Sequence, residues 1–336
     1  MSQAAGGSAR RPVRVAVIGC GAFARLYHVP TLVADPRAEL VMISDPFPGE
    51  ETERIAREAR ALLTSEVEDL WPAGACDAVL VSSPHALHAA HVRAALAAGK
   101  HVLVDKPFVL RHAEAQELAE AARVRGLVGA VAFNRRFDPG SARAREIIRS
   151  GGIGAVRHAE TVQLGYPSTG WYADPGFGGG GPFIGRGAHM ADLLPWLLDR
   201  PPRRVRSRIL PGKPGRVDAG GFIECEFEGF ACSMAVLAQG LYMWDEVRVF
   251  GEDGLIELRR PLGRPLGWEM TRCDVRGDRI EGIPADEARG RATANFLDAL
   301  HGQATPACSF ADACLSVRLI EAAYESAGKA EGWIDL

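Results

Sequence analysis

Over the first 133 residues, short apolar runs alternate with amphipathic stretches, a rhythm that predicts strand and helix in strict succession. Val13 to Ile18 is apolar and rich in β-branched residues, stops at Gly19, and gives way to a helical pattern through Leu32. Leu40 to Ser44 repeats the strand pattern and ends at Asp45, and a charged helix is expected from about Glu50 to Leu63. Strand Ala78 to Ser82, helix Ala86 to Ala98, strand His101 to Val104, helix Glu114 to Arg125 and strand Val128 to Phe133 follow in order. Strands separated by helices of this length pair in parallel, with the helices crossing over on both faces, so an α/β doubly wound parallel sheet is predicted.

A helix near Ala142 to Ser150 is followed by Gly151, Gly152 and Gly154, and the periodicity then changes. Strands are expected near Val156 to Leu164, Arg204 to Leu210, Phe222 to Phe227, Cys232 to Ala238, Glu246 to Phe250 and Leu255 to Arg259. The links Glu228-Gly229 and Glu252-Asp253-Gly254 suit antiparallel neighbours. A helix from His189 to Leu198 should cover one face, and helices about Ala292 to His301 and Phe310 to Ala327 close the chain. The expected division is a tail over residues 1–12, a doubly wound domain over 13–137, and a C-terminal α/β domain over 138–336. The second sheet should be mainly antiparallel and open, with the last helices packing back toward the first domain.

Composition narrows the functional classes. A chain of 336 residues exceeds the size at which single cores stop growing, and 47% hydrophobic with 24% charged residues is ordinary for a globular protein. All but four of the 39 basic residues are arginine, yet acidic residues balance them to a net charge of -3 without a dense basic run. No nucleic-acid partner is therefore expected. Residues 1–12 lack the apolar stretch of a signal peptide and no run is long enough to span a bilayer, so a cytoplasmic protein with no membrane partner is expected. Seven scattered cysteines without a close pair read as reduced thiols, and no metal site is assigned.

Chemistry enters at four places. Gly19-Cys20-Gly21-Ala22-Phe23-Ala24 is a GxGxxA turn between the first strand and first helix. Gly19 permits the turn, Gly21 lets backbone approach a pyrophosphate, and Ala24 allows close packing above a helix N-terminus that offers free N–H groups. Asp45 ends the second strand, where a carboxylate accepts ribose hydroxyls; no arginine follows it immediately, which favours NAD over NADP. Lys106, in Asp105-Lys106-Pro107, sits at the carboxyl end of a strand, where an ammonium can hold substrate oxygen and pass a proton. His189 begins a helix after a glycine-rich patch, Gly176 to Gly181; an imidazole there is suited to acid–base work, although caps and packed polar residues are commoner fates.

In order along the chain, five segments resemble the Gfo/Idh/MocA family, named for glucose-fructose oxidoreductase, inositol dehydrogenase and a rhizopine-catabolism protein. They are the glycine turn, Ser82-Ser83-Pro84-His85-Ala86-Leu87-His88, residues Ala98 to Pro107, Phe133-Asn134-Arg135-Arg136-Phe137, and Gly180 to Asp192. The resemblance spans nearly the whole chain. It implies a Rossmann domain followed by an α/β domain whose open sheet serves assembly into a homodimer or homotetramer. It also implies bound NAD(P) and oxidation or reduction of a sugar, cyclitol or nucleotide-linked sugar.

On this resemblance, the family lysine falls on Lys106, with Asp105 in place of the usual glutamate, and the catalytic histidine falls on His189. Ser82, Ser83, Pro84, His88, Asp105, Lys106 and Asn134 fall on the cofactor side, with His85 where asparagine is common. Trp171, Tyr172 and Phe177 are candidate walls for a sugar ring, and Arg135, Tyr166 and Asp192 candidate partners for its polar groups. In many members an aspartate stands four residues before the histidine; here that position is Gly185. Either Lys106 and His189 suffice, or Tyr166 or Tyr172 supplies the proton, or the space admits a bulkier substrate. The expected activity is hydride transfer at a carbinol or ketone carbon. An NAD-dependent elimination or glycoside cleavage without net redox, and a non-catalytic nucleotide-binding regulator, are the other two classes compatible with these residues.

Overall fold

The computed structural model describes residues 11–238, 240, 242–260, 267–285 and 289–336. Residues 1–10 of the expected tail lie outside these; Arg11 does not behave as tail, since its guanidinium holds both carboxylate oxygens of Asp77.

The N-terminal sheet is built from β1 (Val13–Ile18), β2 (Ala38–Ser44), β3 (Leu62–Thr64), β4 (Ala78–Val81), β5 (His101–Val104) and β6 (Gly129–Val131). All are parallel, in the order β3-β2-β1-β4-β5-β6. The order reverses between β1 and β4, and the loops leaving the carboxyl ends of these strands open a crevice there, the ligand position of doubly wound sheets. A π-helical turn, Ala24–His28, runs into α1 (Val29–Ala34); α2 (Glu50–Ala59), α3 (His88–Ala97) and α4 (His112–Val124) make the crossovers. The helix expected to reach Leu63 stops four residues earlier. Arg60 turns left-handed at φ 57, and Leu62 and Leu63 pair with Met42 and Ile43 as an edge strand. So short an apolar run carries no periodicity that separates strand from helix.

Asp138 starts the second domain by accepting the Gly140 N–H at the head of α5 (Pro139–Arg149). The chain then forms β7 (Val156–Leu164), the short helices α6 (Pro175–Gly178) and α7 (Pro182–Gly185), and α8 (Gly187–Leu198). Next come β8 (Arg204–Leu210), β9 (Gly220–Phe227), β10 (Phe230–Leu237), β11 (Trp244–Gly251), β12 (Gly254–Arg259), β13 (Glu269–Asp274) and β14 (Arg279–Ile283). Helices α9 (Arg291–Leu300) and α10 (Phe310–Gly328) and a terminal β15 (Ile334–Asp335) complete it. The nine strands lie in the order β14-β13-β12-β11-β7-β10-β9-β8-β15. Pairing is antiparallel except between β7 and β10. Strands β13, β14 and β15 were not anticipated: β13 and β14 form a polar, half-exposed edge, and β15 has two residues.

Alternate residues of this sheet, among them Ala159, Ile223, Cys225, Met234, Val247 and Ile256, pack under Leu193, Leu194 and Leu197 of α8. Each buried Leu, Ile, Val or Met among them contributes ~1.5–3 kcal/mol of burial. The last helices join the domains. Phe296 and Leu297 of α9 pack with Val15, Val17 and Ile43, while Phe310 and Val317 of α10 pack with Phe108 and Val131. Leu319 and Ile320, one turn further on, belong to the second core. Among the described residues no helix is long and apolar enough to cross a membrane.

Candidate active site between the domains

The glycine turn is built for a close neighbour. Gly19 has φ +78, and a Cβ there would lie 2.8 Å from the Ser82 carbonyl oxygen. Its N–H donates to Ser44 O at 2.8 Å, which locks the end of β1 to β2. Gly21 faces open space, with nothing within 4 Å of where a Cβ would stand. Ala24 is buried where the helix meets the sheet. Asp45 closes the same end: Oδ2 accepts the Cys20 N–H at 2.9 Å and Oδ1 accepts the Phe47 N–H at 3.0 Å. A carboxylate keeps further lone pairs after two such bonds, so Asp45 can still accept another hydroxyl. These residues fit an NAD dinucleotide: the Gly19–Ala24 turn would hold its diphosphate and Asp45 its adenosine ribose.

Lys106 follows β5 and its peptide bond to Pro107 is cis. Its ammonium donates to the Gly185 carbonyl at 2.9 Å, reaching across the domain boundary. Burial in the cleft pushes its pKa down to about 8, against the pull of Asp105 and with repulsion from Arg135 and Arg186. His189, in the first turn of α8, is held neutral: burial, then Arg135, Lys106 and Arg260, push its pKa well below the ordinary value. Its Nδ1 is buried without a hydrogen-bond partner.

Lys106 and His189 line one cavity of about 270 Å³, together with Phe23, Asn134, Arg135 and Gly185. Residues that sequence reasoning missed complete the wall: Tyr27, Asp138, Gln163, Arg186, Met243, Asp245, Arg260, Gly267, Trp268 and Arg289. Arg135 is held 3.3 Å from Asp245 and 4.9 Å from the Trp268 ring. Gln163 donates to the other Asp245 oxygen at 2.9 Å, and its Oε1 is buried unpaired. Gln163 had a signal: with Thr161 it puts polar groups at buried positions of β7, where apolar residues are expected.

Several of the expected residues are engaged with other parts of the chain. Asp192 is 4% exposed, and both its oxygens take the Arg136 guanidinium, so it is engaged in the core and does not line the cavity. His88 is fully buried between Pro107 O at 2.8 Å and Ser83 O at 2.9 Å, a clamp between two loops that occupies both ring nitrogens. Asp105 is likewise occupied, by His28 Nε2 at 2.9 Å and by the Ser82 hydroxyl. Ser83 turns its hydroxyl to His91, and Pro84 caps the short turn that carries His85. These groups position the walls of the crevice. Trp171 and Tyr172 stack on each other with centroids 3.7 Å apart and meet the His85 ring edge-on. Tyr166 and Phe177 are 53% and 46% exposed. None of these four aromatics lines the cavity.

A glycine turn at the switch point of a parallel sheet, facing a second domain across a cavity with a depressed lysine, defines a two-domain dinucleotide-binding protein. The chain belongs to the Gfo/Idh/MocA family: residues 13–133 match the model for the oxidoreductase family with NAD-binding Rossmann fold, and residues 141–257 match the GFO/IDH/MocA C-terminal domain. It is 30% identical over 306 residues to dTDP-3,4-didehydro-2,6-dideoxy-alpha-D-glucose 3-reductase of Streptomyces violaceoruber, covering 86% of each chain. It is 31% identical over 193 residues to D-glucoside 3-dehydrogenase of Escherichia coli K12, covering 56% of this chain and 55% of that one. The chain thus spans about half the length of several curated relatives it matches. The crystal structure of GenD2 from gentamicin A biosynthesis, in complex with NAD, superposes with a TM-score of 0.83 at 26% identity, covering 100% of this chain and 99% of that one.

Proposed function

We propose that the chain is an NAD-dependent oxidoreductase that moves a hydride to or from a carbinol or ketone carbon of a sugar, nucleotide sugar or cyclitol, with Lys106 and His189 handling the hydroxyl proton. Bound NAD supplies the hydride acceptor or donor. The observation that carries the reading is the convergence of a lysine with pKa about 8 and a neutral histidine on one cavity beside the glycine turn. When Lys106 is neutral, its nitrogen keeps an N–H for Gly185 O and presents a lone pair to a substrate hydroxyl. The unpaired Nδ1 of His189 is free to bond the same hydroxyl or its neighbour. Asp45 favours NAD over NADP by accepting unphosphorylated ribose hydroxyls.

The test is NADH formation from NAD with a panel of sugars, inositols and nucleotide sugars, alongside NADH binding by fluorescence. At least one substrate should turn over, and Lys106→Ala should lower kcat by ~10²–10⁴ while NADH still binds. A protein that binds no NADH would end this reading. Self-association is proposed on the sheet face away from α8, where Arg204 and Arg206 meet Glu226 and Glu224; light scattering determines the assembly size.

A further inference from the structure

The cavity is more cationic than handling a neutral polyol requires. Among the described residues, Lys106, Arg135, Arg186, Arg260 and Arg289 line it with the carboxylates of Asp138 and Asp245. Asp245 lies 3.3 Å from both Arg135 and Arg260, and is shared between them. Asp138 accepts N–H groups from Gly140 and Trp268, each at 2.9 Å. Lys106 and Arg186 have neither carboxylate: among the described residues, each donates to backbone carbonyls, Gly185 for Lys106, and Tyr166 (2.7 Å) and Leu237 (3.5 Å) for Arg186.

The Arg186 guanidinium occupies a prepared place. It packs on Gly165, just past β7, where a Cβ would collide with Nη1 and Cζ. Arg186 lies between Gly185 and the head of α8, so it shares a wall with His189. Hydrogen-bonded to carbonyls, this partly buried cation has, among the described residues, only the more distant Asp245 carboxylate, already shared by Arg135 and Arg260, to offset its charge. A planar guanidinium in that position matches an oxyanion bidentately. Beside it, the buried Gln163 Oε1 and His189 Nδ1 lack partners and suit hydroxyls.

We infer that the substrate carries an anionic oxygen group, a carboxylate or a phosphate ester, and that Arg186 binds it. This rests on the oxidoreductase reading and names the substrate class of the same cavity. The diphosphate of NAD does not account for Arg186, because the Gly19–Ala24 turn is its seat.

The experiment titrates NADH-loaded protein with matched pairs: D-glucuronate and D-glucose, D-galacturonate and D-galactose, and D-glucose 6-phosphate and D-glucose, read by NADH fluorescence and calorimetry. At least one anion should bind at least about tenfold more tightly than its neutral parent, the gain of one charge-assisted hydrogen bond pair. Uronates and the phosphate ester separate the two sources of charge. Arg186→Gln should erase the preference and Arg186→Lys restore part of it. Gly165→Ala, which displaces the guanidinium and keeps its charge, should weaken the anion selectively. Equal affinity within every pair, including no detectable binding of either member, overturns the inference, as does a preference that Arg186→Gln leaves intact. Failure to bind NADH at all would instead count against the oxidoreductase reading.

Discussion

The Lys106 ammonium, carried on the loop after β5, donates to the carbonyl of Gly185 at the end of α7, 2.9 Å away in the other domain. One proton of the ammonium is thereby spoken for, and Lys106 also lines the cavity. The contact uses the backbone of the residue that replaces the family's aspartate. It needs no side chain at that position, so a donor fixed across the boundary persists without the carboxylate.

Because burial sets the Lys106 pKa at about 8, the direction of its pH dependence follows from the direction of reaction. Oxidation of an alcohol needs the neutral amine, so kcat/KM should rise as pH passes about 8 and level off above it. Ketone reduction needs the ammonium, so its rate should fall through the same value. Lys106→Arg, which stays charged, should remove that inflection in both directions. Initial rates across the pH range, with NAD and with NADH, check the signs.

The Asp192–Arg136 pair should behave as structure. Asp192→Ala leaves the buried guanidinium of Arg136 without its carboxylate, which costs about 3–5 kcal/mol. Denaturant midpoints should drop accordingly, while the KM of the protein that remains folded stays near that of the parent. A variant of unchanged stability and raised KM would return Asp192 to the substrate site.

Asp45 should decide between the two nicotinamide cofactors. Asp45→Ser removes the charged acceptor at the ribose and relieves its repulsion of a 2'-phosphate. Losing a hydrogen bond to a charged group costs about 1.5–3 kcal/mol, so the Kd for NAD should rise roughly tenfold to a hundredfold while that for NADP falls. Fluorescence titration with NADH and NADPH reads both. Cys20 and Phe47 N–H groups lose an acceptor in the same variant, so melting temperature serves as the control for local damage.

The doubly wound half was legible because strands buried on both faces read as continuous apolar runs: Ala78–Val81 and Val102–Val104 are buried throughout. The positions of Gly19, Lys106 and His189 at strand or helix ends were legible because local motifs mark those ends. The cavity's other wall was not, because Gln163, Asp245 and Trp268 come from β7, β11 and the segment before β13, brought together only by strand order. Arg135 and Arg136 show the limit most clearly. They are adjacent, yet one reaches the cavity through Asp245 and the other takes Asp192 in the core. Sequence identifies both as arginine and says nothing of which way each turns.

Gly185→Asp tests how the site functions without the family carboxylate. A Cβ at residue 185 would sit 3.5 Å from His85 Cε1, ordinary contact, so the aspartate can be accommodated at the cost of crowding that ring. His85 Nδ1 lies 3.1 Å from the Gly178 carbonyl, which favours the tautomer with its proton there and holds the ring in place. The new carboxylate would stand beside the Lys106 ammonium and favour its charged form, so the lysine pKa must rise above about 8. For alcohol oxidation the inflection should therefore move to higher pH, lowering the rate at neutral pH if Lys106 is the base. If the carboxylate instead takes the proton from His189, the rate at neutral pH should increase and the inflection near pH 8 should fade. An unmoved profile with unchanged kcat would mean that neither group carries the proton.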